Sequence, residues 1–457
     1  MPAIYSEAAT RHQLMEELSV ARQKTDELFA IVKSDALYDR PIPERHRIIF
    51  YIGHLEAFDW NLFRDCALGL KSFHPEFDRL FAFGIDPVGG GLPTDRPSQW
   101  PSLAAVREYV RKIRAALDEK LPEALDSDSA GRDGFPLSTL LNVAVEHRLM
   151  HAETLAYMLH QLPLDRKVPQ TETVSLTTPS VNHGSVEIPA GEVTLGLSRA
   201  GNLFGWDNEF LAHTVHVPAF AIDQYKVTNQ QYLAFIDAGG YENRSLWIGD
   251  GNENEGNEAH GAENDWNWRS EHGISHPAFW KREGNRWLYR TMFNDVPLPL
   301  DWPVYVGQAE AKAYAKWAGK SLPTEAEWQR AAYSTPSSDE QPYPWGNEPP
   351  SNEFGNFDFS SWNPAPVNAF PRGRSALGVE GMVGNGWEWT STEFAPFSGF
   401  EPFPFYRGYS ADFFDGKHFV MKGGSARTAA CMLRPTFRNW FQAHYQFIYT
   451  GFRCVSR

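Results

Sequence analysis

The sequence predicts an α+β chain of two unlike halves: a four-helix bundle over residues 1–165 and an irregular domain over 186–457, joined by a linker over 166–185. Three observations carry that expectation. Apolar residues recur at near-helical spacing through the first 165 residues. The stretch RKVPQTETVSLTTPSVNHGS that follows is polar, rich in Ser and Thr, and has no apolar period. The 16 Trp, 17 Tyr and 31 Phe make up 14% of the chain and gather, with Gly and Pro, beyond residue 200.

Each bundle helix has its own signal. The first is expected from about Ser6 to Lys33, with Leu14, Leu18, Ala21, Leu28 and Ile31 at near-helical intervals. A second follows Pro41-Ile42-Pro43, where proline suits a first helical turn, and runs through Ile48, Ile52, Leu55 and Phe58 to about Leu70. The third covers roughly Ser102 to Leu121 and the fourth about Pro136 to Leu162, each with its own apolar series. Four helices of about 20–28 residues match a bundle whose core can host a metal. The segment from His74 to Pro101, with Gly89-Gly90-Gly91, reads as a long and therefore functional loop.

Beyond the linker, helices are expected only near Asn229–Ala238, Gly307–Ala318 and Thr324–Ala332. The acidic, Asn- and Gly-rich stretch from Gly249 to Asn267 reads as a solvated surface loop, with a calcium loop or an active-site lid as alternatives. The balance of 42 basic against 57 acidic residues leaves a net charge of −15, which repels phosphate backbones and disfavours nucleic acid as a partner. No run approaches the roughly 18 apolar residues of a membrane span, and the first residues lack a signal-peptide core. Three cysteines, Cys66, Cys431 and Cys454, exclude a disulfide scaffold and fit a reducing cytoplasm.

The strongest chemical signal lies in the fourth helix, in Glu146-His147-Arg148-Leu149-Met150-His151-Ala152-Glu153. Histidines four residues apart are separated by about 40° around a helix axis, so His147 and His151 can reach one ion. Glu153 points elsewhere. A third imidazole is available from His54, mid-helix in the apolar stretch Phe50-Tyr51-Ile52-Gly53-His54-Leu55. Three neutral imidazoles leave open positions, as a catalytic metal requires; these residues alone do not separate zinc from iron(II). His46 and His160 are expected at the surface or flanks.

The second half carries several local motifs: Phe220–Asn229 (FAIDQYKVTN), Ser321–Trp328 (SLPTEAEW), Pro344–Asn347 (PWGN), Gly384–Thr390 (GNGWEWT), Lys422–Ser425 (KGGS) and Gly451–Val455 (GFRCV). In that order they resemble the formylglycine-generating-enzyme, or sulfatase-modifying-factor, fold, an irregular C-type-lectin-like domain. Formylglycine-generating enzymes bind copper through a closely spaced cysteine pair. Cys431 and Cys454 lie too far apart to match it, which disfavours sulfatase activation. A DinB-like bundle with one histidine on its second helix and His-x3-His-x-Glu on its fourth, fused to such a domain, resembles the ergothioneine-biosynthesis sulfoxide synthases and the sister selenoneine synthases over nearly the whole chain. The resemblance implies a mononuclear non-haem Fe(II) held by His54, His147 and His151. It also implies O2 as oxidant and a bond formed from sulfur or selenium to the imidazole C2 of hercynine (Nα-trimethylhistidine). Asn439 and Trp440, in Phe437-Arg438-Asn439-Trp440, would contact the trimethylammonium end, and Tyr406 or Tyr409 would serve as proton donor or redox tyrosine. Arg427, Arg434 and Arg438 could bind a carboxylate.

Departures from the pattern narrow the donor. The branch that uses γ-glutamylcysteine has Asp and Arg where this chain has Phe441 and His444, and Gln where it has Met150. Loss of that charge complement points to a selenosugar or to free cysteine rather than γ-glutamylcysteine. Two other classes are compatible with the residues: a DinB-type metal-dependent thiol transferase using the same histidines, and a non-catalytic, lectin-like binding protein.

Overall fold

The structure, a computed structural model, describes residues 11–82, 94–126, 135–171, 174, 181–201, 203–248 and 258–457, without the side chains of 11–12, 126 and 258–264. The chain divides into two units, Met1–Thr171 with Asn202–Phe204, and Glu172–Gly201 with Gly205–Arg457.

The first unit is helical: α1 (Arg11–Ala30), α2 (Ile48–Phe63), the short α3 (Pro75–Leu80), α4 (Leu103–Asp126) and α5 (Leu137–Gln161). Helix α1 packs along α5, and α2 packs on both α4 and α5. The apolar stripes face inward as their spacing predicts: Leu14, Leu18, Ala21 and Leu28 on α1, Val106, Ile113 and Leu117 on α4, and Leu140, Val143, Leu155 and Met158 on α5 are all buried. Three local expectations are corrected. Helix α2 starts at Ile48, well past Pro41 and Pro43, because the preceding segment folds back. The carbonyls of Asp39 and Leu37 then take the amides of Ile48 and Ile49 at 3.1 and 2.7 Å, capping the helix with backbone. The stretch read as one long loop contains α3, whose first residue is Pro75; its glycine run lies outside the described residues. His160 is only 1% exposed, buried on α5 rather than at a flank.

The second unit is a set of small sheets tied by helices. One sheet orders β1 (Ser185–Ile188), β4 (Phe220–Asp223) and β12 (Val455–Ser456). Another orders β10 (Asn439–Gln442), β9 (His418–Lys422), β8 (Trp387–Glu393) and β11 (Thr450–Gly451). A hairpin pairs β2 (Gly191–Leu195) with β3 (His213–Val217), and a meander joins β5 (Trp280–Glu283), β6 (Arg286–Arg290) and β7 (Asp295–Pro297). The expected helices are present as α6 (Asn229–Asp237), α8 (Gln308–Trp317) and α9 (Glu325–Tyr333). Thr324 and Glu327 cap α9 reciprocally, each side chain accepting from the other's amide, at 3.2 and 2.7 Å. A further helix, α7 (Glu258–Glu271), occupies most of the stretch expected to be a surface loop; residues 249–257 lie outside the described set.

The sequence motifs of this unit meet in its core. Glu388, fully buried on β8, accepts from Arg453 Nε and Nη2 at 2.7 and 2.8 Å, from Trp328 Nε1 at 3.0 Å, and pairs with Lys226 Nζ at 2.9 Å. Four of the motifs thus converge on one carboxylate, and a buried carboxylate is stable only when so compensated. Gly423 has φ +102°, and a Cβ there would lie 2.6 Å from the Met382 carbonyl, so the Lys-Gly-Gly turn requires glycine. Among the described residues no helix is long and apolar enough to cross a membrane.

Candidate metal centre

His54 projects from α2 and His147 and His151 from α5, and all three are buried. Their ring nitrogens gather within 4.8 Å of one another. The His151 Nε2 stands 3.2 Å from His54 Nε2 and 3.1 Å from His147 Nε2. A single ion bonded at about 2.1 Å to two nitrogens at right angles separates them by about 3.0 Å, so these two edges suit adjacent ligands of one metal.

The surroundings prepare the rings as ligands. His54 Nδ1 lies 2.7 Å from the Phe81 carbonyl just after α3 and donates to it, which leaves the Nε2 lone pair facing the other histidines. Burial holds the His54 imidazole down at about 4, against an ordinary 6.5, and pushes His147 and His151 well below that ordinary value. All three are therefore neutral at physiological pH, the form that binds metal. Nitrogens this close cannot all be satisfied by protons: a hydrogen on His151 Nε2 serves only one neighbour, whereas a cation satisfies every lone pair. Phe58 stacks on His147 at 3.4 Å between centroids and 11°, and Phe50 on His54 at 4.9 Å and 22°, fixing the ring planes.

A buried ionic lock sets the register of α2 against α5. Arg148, between the two α5 histidines and 0% exposed, donates to Glu56 Oε1 at 3.0 Å, Asp59 Oδ2 at 2.6 Å and the Leu55 carbonyl at 3.0 Å. Arg114 of α4 adds a second guanidinium to Glu56 at 2.7 Å and reaches Asp26 of α1. Burial raises the carboxyls of both Glu56 and Asp59. With two guanidinium partners, Glu56 ends well below the usual range, at about 2; Asp59, with one bonded guanidinium and the Glu56 charge beside it, ends raised. Neither Arg148 nor Phe81 was singled out from sequence. Charged residues in an apolar helix stretch (Glu56, Asp59) were the available signal for the lock; a backbone carbonyl leaves none.

In the second unit, Asn439 and Trp440 sit on β10, opposite Met421 and Val420 of β9. Trp440 is half-buried and stacks on Phe394 at 4.1 Å and 7°, with Tyr409 edge-on at 5.4 Å. The Asn439 side-chain oxygen accepts from the Trp440 amide at 2.9 Å. Tyr409 is buried and stacks on Trp206 at 4.0 Å, and Tyr406, half-buried, is 5.5 Å from it. Phe441 stacks on Tyr445 at 5.1 Å, and His444 pairs with Asp265 of α7 at 2.7 Å. Met150, beside His151 on α5, is half-buried. The arginines are committed to structure: Arg438 grips both oxygens of Glu325 at 3.0 and 3.1 Å, Arg434 pairs with Glu209 at 2.6 Å, and Arg427 lies 3.9 Å over Trp362.

Residues 17–155 match the DinB superfamily and residues 171–457 the sulfatase-modifying factor enzyme 1-like domain. A hercynine oxygenase of Mycolicibacterium thermoresistibile is 37% identical over 362 residues, 77% of this chain and 74% of its own. One from Mycolicibacterium smegmatis is 34% identical over 457 residues, covering 97% of this chain and 98% of its own. The chain belongs to the hercynine oxygenase family. A relative from Neurospora crassa, ergothioneine biosynthesis protein 1, is 28% identical over 93% of this chain and 55% of its own length.

Membership of the hercynine oxygenase family and the buried trio of neutral imidazoles together point to a metal-binding enzyme of oxidative chemistry. Its α+β architecture, a DinB-type helical unit followed by a sulfatase-modifying-factor-type domain, is the one the sequence predicts. Among the described residues Cys66, Cys431 and Cys454 form no disulfide.

Proposed function

We propose that this hercynine oxygenase family member is a cytoplasmic, mononuclear non-haem iron(II) enzyme that uses O2 to join a sulfur or selenium donor to the imidazole C2 of hercynine. The observation that carries the proposal is the convergence of His54, His147 and His151 as neutral Nε2 donors. Three neutral imidazoles without a carboxylate fit Fe(II), leave its remaining positions open, and keep its charge to attract a thiolate or selenolate. Iron(II), when bound, supplies the one-electron chemistry that O2 needs to react with closed-shell partners.

The overall step balances. The donor loses its S–H or Se–H hydrogen and hercynine its C2–H. One oxygen atom of O2 ends on the chalcogen and the other leaves as water. Asn439 and Trp440 are proposed to receive the quaternary ammonium of hercynine, which offers no hydrogen-bond partner and is matched by aromatic faces. Tyr406 and Tyr409 are the proposed proton or electron donors.

A selenosugar is the donor this chain favours. At the places where the γ-glutamylcysteine branch carries Asp and Arg, Phe441 is stacked on Tyr445 and His444 is paired with Asp265, so neither offers an ionic grip on an amino acid. Met150 lowers the polarity beside His151 as well.

The test loads the protein with iron(II) anaerobically, adds hercynine, and admits air with cysteine, γ-glutamylcysteine or a selenosugar in parallel, with products read by mass spectrometry. A selenium adduct of hercynine from the sugar is the expected result, and His147→Ala should abolish both iron binding and product. A sulfur adduct from cysteine alone would move the donor to a thiol. Hercynine untouched by all three donors with iron fully bound would overturn the assignment.

A further inference from the structure

Helix α7 stands out because its sequence is polar while one of its carboxylates is buried. Asp265 is 5% exposed, and its two oxygens are separately engaged: Oδ1 by His444 Nε2 at 2.7 Å, Oδ2 by Lys312 Nζ of α8 at 2.9 Å. One helical turn on, Trp268 lies parallel to the His444 ring, 4.5 Å between centroids and 3° between planes. Asp265 and Trp268, at i and i+3, thus clamp one imidazole by an edge and a face. The His444 side chain keeps 30% of its exposure while Asp265 keeps 6%, and among the described residues His444 Nδ1 has no partner. Asp265 accepts the Nε2 hydrogen, which leaves Nδ1 as an oriented acceptor. Lys312 offsets the carboxylate's charge from its other oxygen, and the exposed Nδ1 edge of the clamp is polar. Such an edge suits a hydroxyl, which donates to it, and suits a carboxylate poorly.

We infer that Asp265 and Trp268 are positioning residues that hold His444 Nδ1 as a hydrogen-bond acceptor for a hydroxyl of an uncharged, hydroxylated chalcogen donor. The inference rests on the proposed function and adds to it the residues that set donor specificity. Asp265 bonds His444 and Lys312 and Trp268 stacks on His444, none of them a hercynine residue named above, so their replacement should spare hercynine affinity.

The experiment is a double-mutant cycle on the iron-loaded full chain, with 1-selenoglucose and cysteine as donors. Asp265→Asn, which keeps size but loses the charge-assisted bond, should raise the KM for selenoglucose about tenfold while the KM for hercynine stays unchanged. His444→Ala should do the same, and the two together should cost no more than His444→Ala alone, because Asp265 acts through the ring. Trp268→Phe, which keeps an aromatic face, should retain most of the selectivity that Trp268→Ala loses. Additive effects in the cycle, an unchanged selenoglucose KM in Asp265→Asn, or a matching rise in the KM for hercynine would overturn the inference. If the parent enzyme turns over no donor, the proposed function fails and the inference falls with it. Turnover of cysteine but not of selenoglucose would overturn the inference alone.

Discussion

Replacing Gly53 by Ala tests how the structure prepares its metal site. In an exposed helix the change stabilises by about 1 kcal/mol, because Ala has the higher propensity. Here the opposite is expected. An added Cβ would lie 2.5 to 2.6 Å from three ring carbons of Phe81, which is 0% exposed and stacked on Trp100. The ring must retreat by about 1 Å to reach ordinary contact, and overpacking of this kind costs about 1–3 kcal/mol. The net loss is then up to about 2 kcal/mol, or roughly 4–8 °C in a unit of this size. More tellingly, Phe81 carries the carbonyl that accepts from His54 Nδ1 at 2.7 Å. Moving it frees the ring and tautomer of His54, and outer-shell losses of this kind weaken metal binding by about 10–100-fold. Thermal unfolding of the metal-free protein and an anaerobic competition titration with Fe(II) measure the two effects. Phe81→Leu in the same chain makes room for the methyl and should recover much of both. A Gly53→Ala protein with higher stability and unchanged metal affinity would refute the argument that the Phe81 contact prepares the site.

Two further outcomes follow from the buried charges. Arg148→Met keeps the volume of the stem but leaves Glu56 and Asp59 without their shared cation, which should destabilise the helical unit by about 3–5 kcal/mol; chemical denaturation showing a loss under about 1 kcal/mol would count against the lock. In the second unit, burial alone would raise the Glu388 carboxyl, but Arg453 and Lys226 outweigh it and hold the group below its ordinary 4.5. The unfolded chain therefore binds that proton more readily, so the stability this cluster contributes is complete above about pH 4.5 and is lost as the pH falls below it. Acid titration followed by near-ultraviolet absorption of the tryptophans, with Glu388→Gln as comparison, should show the parent's acid sensitivity flattened in the variant. Equal acid sensitivity in both would remove Glu388 from the explanation.

How much of this protein was legible along its sequence follows from the range of the interactions involved. Helical periodicity is a property of neighbouring residues, so α1, α2, α4 and α5 and the shared face of His147 and His151 could be read directly. The motifs of the second half were visible as short local runs, but their side chains act at long range, as when Trp328 and Arg453 both donate to Glu388. Local signals misled where long-range partners won. Pro43 did not start α2, because backbone carbonyls from Leu37 and Asp39 cap the helix further on. The acidic stretch that lacked an apolar stripe still became α7, and in it Asp265 finds His444 and Lys312 from distant parts of the chain.

By itself, then, the sequence determined which side chains were available: a histidine pair on one helix, a third histidine on another, and Phe441 and His444 after Asn439-Trp440 in the second half. Only the tertiary structure decided that His54 approaches the pair to 3.2 Å, that the Phe81 carbonyl sets its tautomer, that Arg148 locks the two helices, and that Glu388 gathers four separate motifs. The physical reason is that a tautomer, a buried ion pair and a ligand-to-ligand distance each depend on groups brought together from far along the chain, and no periodicity in one segment encodes its partner in another.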